Sequence, residues 1–431
     1  MRRALLSGLS LAIASLLHSP GTWAQNGAQV LHCGHMLDVV KGEVVGERYI
    51  EVSGNTITKI SRQAPAGDHL LVDLSQQYCL PGLMDMHVHL DSEISPQAYL
   101  DRFRLGVADF AYQAADNADK TLMAGFTSVR NLGDNGNVTI ALRNAITRGL
   151  TAGPRVYTAG KALATTGGHG DPTNGFSPVL RGDPGPKDGV INSPADARKA
   201  VRQRYKEGAD VIKITATGGV LSLAKNGQNA QFTHDELSAV VDTARDYGMR
   251  VAAHAHGTEG ILRAVQAGVA SIEHGTYMTP EIMDLMKEKG TFYVPTLAAG
   301  RFVAEKAKDE NFFPPVIRPK AAAIGPVIDN TFAKAWDYGV KVAYGTDSGV
   351  SAHGDNGKEF AFMVENGMPA IEAIRSATLM AAELLGEEER LGSLEADKLA
   401  DIIAVQENPL NNIRTLEAVA FVMKDGQIFK Q

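Results

Sequence analysis

The sequence predicts an α/β chain: a (β/α)8 TIM barrel over residues 81–390 and a small β-sandwich built from both chain ends, 25–80 and 391–431. Three observations predict it. From Pro81 onward short β-like runs alternate with helical ones, which is the texture of βα repetition. Eight such runs can be counted, the number that closes a barrel. The flanks read differently, because Val30 to Cys79 alternates apolar and polar residues in short runs broken by Gly and Asn, as in Tyr49-Ile50-Glu51-Val52 and Thr56-Ile57-Thr58-Lys59-Ile60. These are hairpin strands, and Asp401–Val405 and Val419–Met423 return to the same pattern.

Before the first of these strands stands a processing signal. Met1-Arg2-Arg3, an apolar run from Ala4 to Leu17 and the small-residue end Thr22-Trp23-Ala24 read as a signal peptide over 1–24. A run of about 14 apolar residues is too short to span a bilayer. The Arg2-Arg3 pair lacks the flanking pattern of twin-arginine export. The expected location is the periplasm or the exterior, with no membrane association after cleavage. In that compartment Cys33 and Cys79, the two cysteines of the chain, either form one bridge or remain two buried thiols.

The barrel strands are expected at Met84–Leu90, Thr127–Asn131, Arg155–Ala159, Val211–Thr215, Arg250–His254, Ser271–His274, Phe292–Pro295 and Lys341–Thr346. Helix starts between them are legible. Thr233-His234-Asp235-Glu236 has the form of a capping box, and Thr279-Pro280-Glu281 puts proline at a first helical position. A net charge of −7 with Lys and Arg dispersed leaves no basic stripe for nucleic acid. Neither a Walker loop nor a Gly-x-Gly-x-x-Gly fingerprint occurs, so the expected partner is a small molecule.

Potential metal ligands fall at the ends of these strands. His87 and His89, two apart, share a face and point into the barrel at the C-terminal end of the first strand, where barrel enzymes gather their catalytic groups. Lys213 interrupts the apolar strand Val211-Ile212-Lys213-Ile214-Thr215. A buried lysine must be paired, discharged or modified, and a free buried amine can take up CO2 to become a bridging carboxylate. His254 and His274 end the fifth and sixth strands. His256 shares the face of His254 and competes with it. Asp347 ends the eighth strand, next to the first in a closed barrel.

These residues resemble the binuclear pattern of the amidohydrolase superfamily. The resemblance rests on Pro81-Gly82-Leu83-Met84-Asp85-Met86-His87-Val88-His89, Lys213, His254, His274 and Asp347, and extends to the tail Gly392-Ser393-Leu394-Glu395-Ala396-Asp397-Lys398-Leu399-Ala400-Asp401. Within it, Ile212-Lys213-Ile214-Thr215-Ala216-Thr217-Gly218-Gly219-Val220 and Ala253-His254-Ala255-His256-Gly257 look like the prolidase-like branch. That branch cleaves C-terminal residues from dipeptides or N-acyl amino acids and includes ochratoxin A amidases.

The resemblance implies a metal set. Two divalent ions, zinc by preference, would be held by His87, His89, Asp347, His254, His274 and a carbamylated Lys213. The spacing of His254 and His274, similar to that branch, selects His254 over His256. It also implies Asp347 as proton acceptor and donor, and a homo-oligomer, an octamer. Substrate contacts are expected from His169 in the loop Thr165-Thr166-Gly167-Gly168-His169-Gly170, from Val220 and Leu221 after the fourth strand, and from His256 and His353. His32, His35, His69 and His234 read as structural or exposed. The competing functions are hydrolysis of cyclic amides or lactones, mononuclear deamination, which has no use for a bridging lysine, and a non-catalytic barrel module.

Overall fold

The computed structural model describes residues 29–222 and 226–431, so the expected signal peptide lies outside the described residues. Strands β1 (Gln29–Asp38), β2 (Glu43–Val45), β3 (Arg48–Ser53), β4 (Thr56–Ser61) and β5 (Leu70–Pro81) form one sheet with the last three strands, β13 (Ile402–Val405), β14 (Phe421–Lys424) and β15 (Gln427–Lys430). Its order is β15-β14-β13-β5-β1-β3-β4, with β2 on β1. The sheet curls until β4 meets the chain entering β13, where the Ile57 N–H donates to Lys398 O and the Asp397 N–H to Ile57 O. Inside the curl the inward residues of alternating strands pack together, among them Leu31, Ile50, Ile57, Ile402 and Phe421. Both chain ends therefore build one core.

Strand β15 has no counterpart in the expected elements. Its signal was present: Asp425-Gly426 is a two-residue hairpin turn, and both residues adopt positive φ, 49° and 73°.

The barrel follows directly from β5. Strands β6 (Leu83–Val88), β7 (Phe126–Asn131) and β8 (Arg155–Thr158) pair in parallel, as do β9 (Val211–Thr215), β10 (Arg250–Ala255), β11 (Ser271–His274) and β12 (Phe292–Val294). Strands β6, β7 and β11 are buried at every residue, as expected where helices cover the outside and side chains fill the inside. Two seams join the half-barrels. At one, Leu163 N–H donates to Lys213 O and Thr215 N–H to Leu163 O.

At the other seam the expected strand Lys341–Thr346 is present in place but not in regular form. Its Val342 bridges Tyr293, its Tyr344 O accepts from Met86 N–H, and Asp347 N–H donates to His87 O. The ladder is interrupted because Ser376 and Ala377 wedge into the seam, taking the N–H groups of Tyr344 and Met84. Gly345 allows the close approach: a Cβ there would sit 2.3 Å from Val294 Cγ1 and 3.1 Å from His87 Cβ.

Cys33 and Cys79 form a disulfide joining β1 to β5 across 46 residues. Of the two readings left open by the sequence, the bridge is the one formed. Closing a loop of this length removes chain entropy from the unfolded state equivalent to roughly 4 kcal/mol, less whatever the folded state gives back. Reduction, or the Cys33→Ala/Cys79→Ala pair, should lower the thermal midpoint by several degrees. A midpoint unmoved by reductant in differential scanning fluorimetry would contradict this.

Candidate metal centre

Two groups of potential ligands stand at the C-terminal end of the barrel. His87, His89 and Asp347 offer donor atoms all within 4.8 Å of one another, and so do His254, His256 and His274. Lys213 lies between them, its Nζ 3.3 Å from His87 Nε2. The rings of His87 and His274 are 5.2 Å apart, and those of His254 and His274 4.7 Å. Lys213 and all these ligands except His89 are buried.

The second nitrogen of each ring is occupied by a partner that determines the tautomer. His87 Nδ1 lies 3.0 Å from Glu273 Oε2, and His89 Nδ1 lies 3.1 Å from Gly133 O. A carboxylate and a carbonyl only accept, so both rings donate through Nδ1 and present a bare Nε2 to the centre. Thr296 Oγ1 donates to Pro295 O and so accepts from His274 Nδ1 at 2.8 Å. His254 is reversed: its Nε2–H donates to Gly218 O at 3.2 Å, which leaves Nδ1 as the bare nitrogen. His256 Nδ1 meets the Thr276 hydroxyl at 2.8 Å, a group able to play either role.

Electrostatics agree with this arrangement. Burial holds His87, His254 and His274 well below the usual imidazole value, His89 and His169 near about 4, and His256 near about 3. Neutral imidazoles are what a metal requires. Burial also draws Lys213 down to about 8, against the opposing pull of Glu273 and Asp347, and pushes Asp347 up to about 7.

The donor set fits a cation by a further observation. Asp347 Oδ1 is buried without a hydrogen-bond partner, yet lies 3.5 Å from His87 Nε2 and 3.4 Å from His89 Nε2. Three lone-pair atoms converge on one point. Such an arrangement is unfavourable unless a positive charge sits among them.

Backbone strain is concentrated at the same place. His274, Thr296 and Asp347 adopt positive φ of 71°, 55° and 57°. For a β-branched residue such as Thr296 this costs on the order of 1–3 kcal/mol. Glu359 helps to hold it, its carboxylate accepting from the N–H groups of Leu297 and Ala298 at 2.8 and 2.6 Å.

The ligands form the floor of a cavity of about 780 Å³. His169 lines it, stacked on His254 at 4.4 Å with its Nδ1 unpartnered. Gly219 makes room for that ring, since a Cβ there would lie 2.2 Å from His169 Cε1. Val220, Leu221 and His256 also line the cavity. His353 does not. Its Nε2 instead braces the backbone of the first strand's loop, at His89 O (3.2 Å) and Ser92 O (3.1 Å). The turn after Asp347 thus sets His353 against the backbone of the His89 loop, outside the cavity lining.

Residues 78–429 match the profile of the Amidohydrolase family. The chain belongs to that family. It is accordingly a hydrolase acting on amide C–N bonds, in a family that is generally binuclear and metal-dependent. Ochratoxinase of Aspergillus niger is 34% identical over 375 residues, 81% of this chain and 75% of that protein. Among solved structures, a Xaa-Pro dipeptidase with methionine bound in its active site superposes with a TM-score of 0.91 at 52% identity, over 94% of this chain and 100% of that one. The crystal structure of A. niger ochratoxinase gives 0.83 at 30% identity, over 94% and 96% of the two chains.

Glu273 and Arg130 were not singled out by the sequence, although Glu273 adjoins His274. Arg130 Nη2 reaches Glu273 Oε1 at 2.9 Å and its Nη1 reaches Ser271 Oγ at 3.0 Å, all fully buried beneath the centre. The pair holds the carboxylate that aims His87. Glu273→Gln, which keeps the volume but removes the charge, should weaken metal affinity by about 10- to 100-fold in competition with a chromogenic chelator. Affinity unchanged within twofold would remove Glu273 from this role.

Proposed function

We propose that the protein is an exported hydrolase that releases a C-terminal amino acid from dipeptides and N-acyl amino acids, with the ochratoxin A amide among the bonds it cleaves. The observation that carries this reading is the convergence of neutral imidazoles, a buried lysine and an unpartnered carboxylate oxygen on one cavity floor. The ochratoxinase and Xaa-Pro dipeptidase likenesses support the substrate class, and the methionine bound in the latter is a free amino acid of the kind such a reaction releases. The Cys33–Cys79 bridge supports export, because such bonds persist in oxidising compartments.

In this reading His87, His89 and Asp347 would hold one divalent cation, His254 and His274 the other, with carbamylated Lys213 as a ligand shared between them. When bound, the pair supplies Lewis-acid activation of a water and of the scissile carbonyl. Imidazole and carboxylate donors favour zinc and admit manganese or cobalt. Burial favours the free Lys213 amine, whose nitrogen forms a bond to the carbon of CO2 and releases a proton, leaving a carboxylate at the tip. Gly218 O fixes the His254 tautomer with a bare Nδ1 and so fits it to the ligand role; the spacing to His274 is what selects it over His256.

Asp347 handles the proton. Its unpartnered Oδ1 faces the cavity floor, so it takes the proton lost as water adds to the carbonyl carbon and returns it to the amine nitrogen as the C–N bond breaks. His169, kept neutral by burial, offers its free Nδ1 to the substrate carbonyl or carboxylate as a hydrogen-bond partner.

The test is hydrolysis of a panel of N-acyl amino acids, dipeptides and ochratoxin A by zinc-loaded protein. Cleavage at the amide of the C-terminal residue is expected. Asp347→Asn should lower kcat by about a thousandfold with the circular dichroism spectrum unchanged. More than a few per cent residual activity would remove Asp347 from the proton-transfer role.

A further inference from the structure

The mouth of the cavity carries a cationic feature that the metal chemistry does not use. Arg102, at the end of the helix Ala98–Arg104, and Arg181, at the end of the helix Pro178–Arg181, both line the cavity that holds the metal ligands. They approach one ring from separate segments: Arg102 Cζ lies 5.2 Å and Arg181 Cζ 4.2 Å from the centroid of Phe176. Phe103 packs on the same ring at 4.5 Å, and Tyr99 Oη donates to Gly175 O at 3.2 Å, so the two segments are fastened to each other. Two guanidiniums are thereby gathered about one aromatic ring.

Asp171, Asp183 and Asp188 line the same cavity without pairing with either arginine. Among the described residues neither guanidinium has a carboxylate within ion-pair distance. Other cations of the cavity wall differ. Lys161 acts on Asp134, and Lys213 is enclosed by Glu273 and Asp347 at the floor. Arg102 is held below its ordinary value by burial first and by the neighbouring charge of Arg181 second. An anion placed between the two would relieve that repulsion and could be gripped by both forks.

We propose that Arg102 and Arg181 form a subsite for a carboxylate carried on the acyl side of the substrate, remote from the scissile amide. This rests on the amide-hydrolase reading above. The position of the pair selects the acyl end, because both arginines are exposed at the mouth whereas Lys213, His254 and His274 are buried at the floor. The leaving residue's own carboxylate is two bonds from the scissile nitrogen and stays near that floor. The lining also includes the apolar Val220, Val303, Ile324 and Ile328, which suit a hydrocarbon spacer. The ligand so described is a dicarboxylic acyl group on an amino acid.

The test compares N-glutaryl-L-methionine with the isostere in which the terminal carboxylate is a neutral amide, and with the C-terminal amide of the glutaryl compound. For wild-type zinc-loaded protein the kcat/KM ratio of glutaryl to neutral isostere should be about ten, carried by KM and shrinking as salt rises. In Arg102→Gln/Arg181→Gln the ratio should fall to near one. A ratio near one in wild type, or one that survives the substitutions, overturns the subsite, and equal loss on both compounds counts as survival. If the substitutions instead abolish discrimination between the free and amidated C-terminus, the pair serves the leaving residue and the acyl-side assignment is overturned. Should wild type cleave none of the compounds, the N-acyl amino acid reading fails, and calorimetric binding of the same compounds to zinc-loaded wild-type protein decides the subsite alone. Arginine-dependent preference for the glutaryl compound upholds it, and equal affinities remove it.

Discussion

A lysine amine taken out of water among imidazoles is the constraint on which the centre depends. Lys213 is 3% exposed on the apolar strand β9, where a full positive charge would cost several kcal/mol. Glu273 and Asp347 offset part of that cost, but the Glu273 carboxylate already accepts from His87 and Arg130. A chain that retains an amine there has a use for its uncharged form. In the proposed reading, conversion to a carbamate would replace the ammonium by an anionic acceptor whose burial two cations would offset.

Positioning then propagates outward in identifiable steps. Arg130 fixes Glu273, Glu273 fixes the tautomer of His87, and the bare Nε2 of His87 faces Asp347. Glu359 caps the helix Leu297–Lys306, whose preceding residue Thr296 holds His274. These partners sit on different strands, so the barrel closure has to be right before any single ligand is. That explains why the eighth segment, irregular as a strand, is nevertheless anchored by Met86, His87 and Tyr293 on both flanks.

Much of this was legible in the chain. Period-two projection placed His87 and His89 together, the order of strand ends placed Lys213, His254, His274 and Asp347 around one mouth, and the end strands identified a shared β domain. What escaped depended on contacts between residues distant in sequence. The Ser376-Ala377 wedge lies about thirty residues beyond the strand it interrupts and has no periodic signature. Arg130 reads as one charged residue in a strand until Glu273, 143 residues later, is placed beside it. His353 is a case of the same kind: proximity to Asp347 along the chain said nothing of the turn that sets it against the His89 loop. The tautomer of His254 was likewise illegible until Gly218 O stood against its ring.

The account turns on the chemical state of Lys213, and carbon-13 NMR of the zinc-loaded protein equilibrated with labelled bicarbonate reads that state directly. It predicts one protein-bound carbamate resonance per chain, absent in Lys213→Arg and lost when the metals are stripped. A spectrum without that resonance in fully metal-loaded wild-type protein would show that Lys213 remains an amine and would contradict the bridged centre.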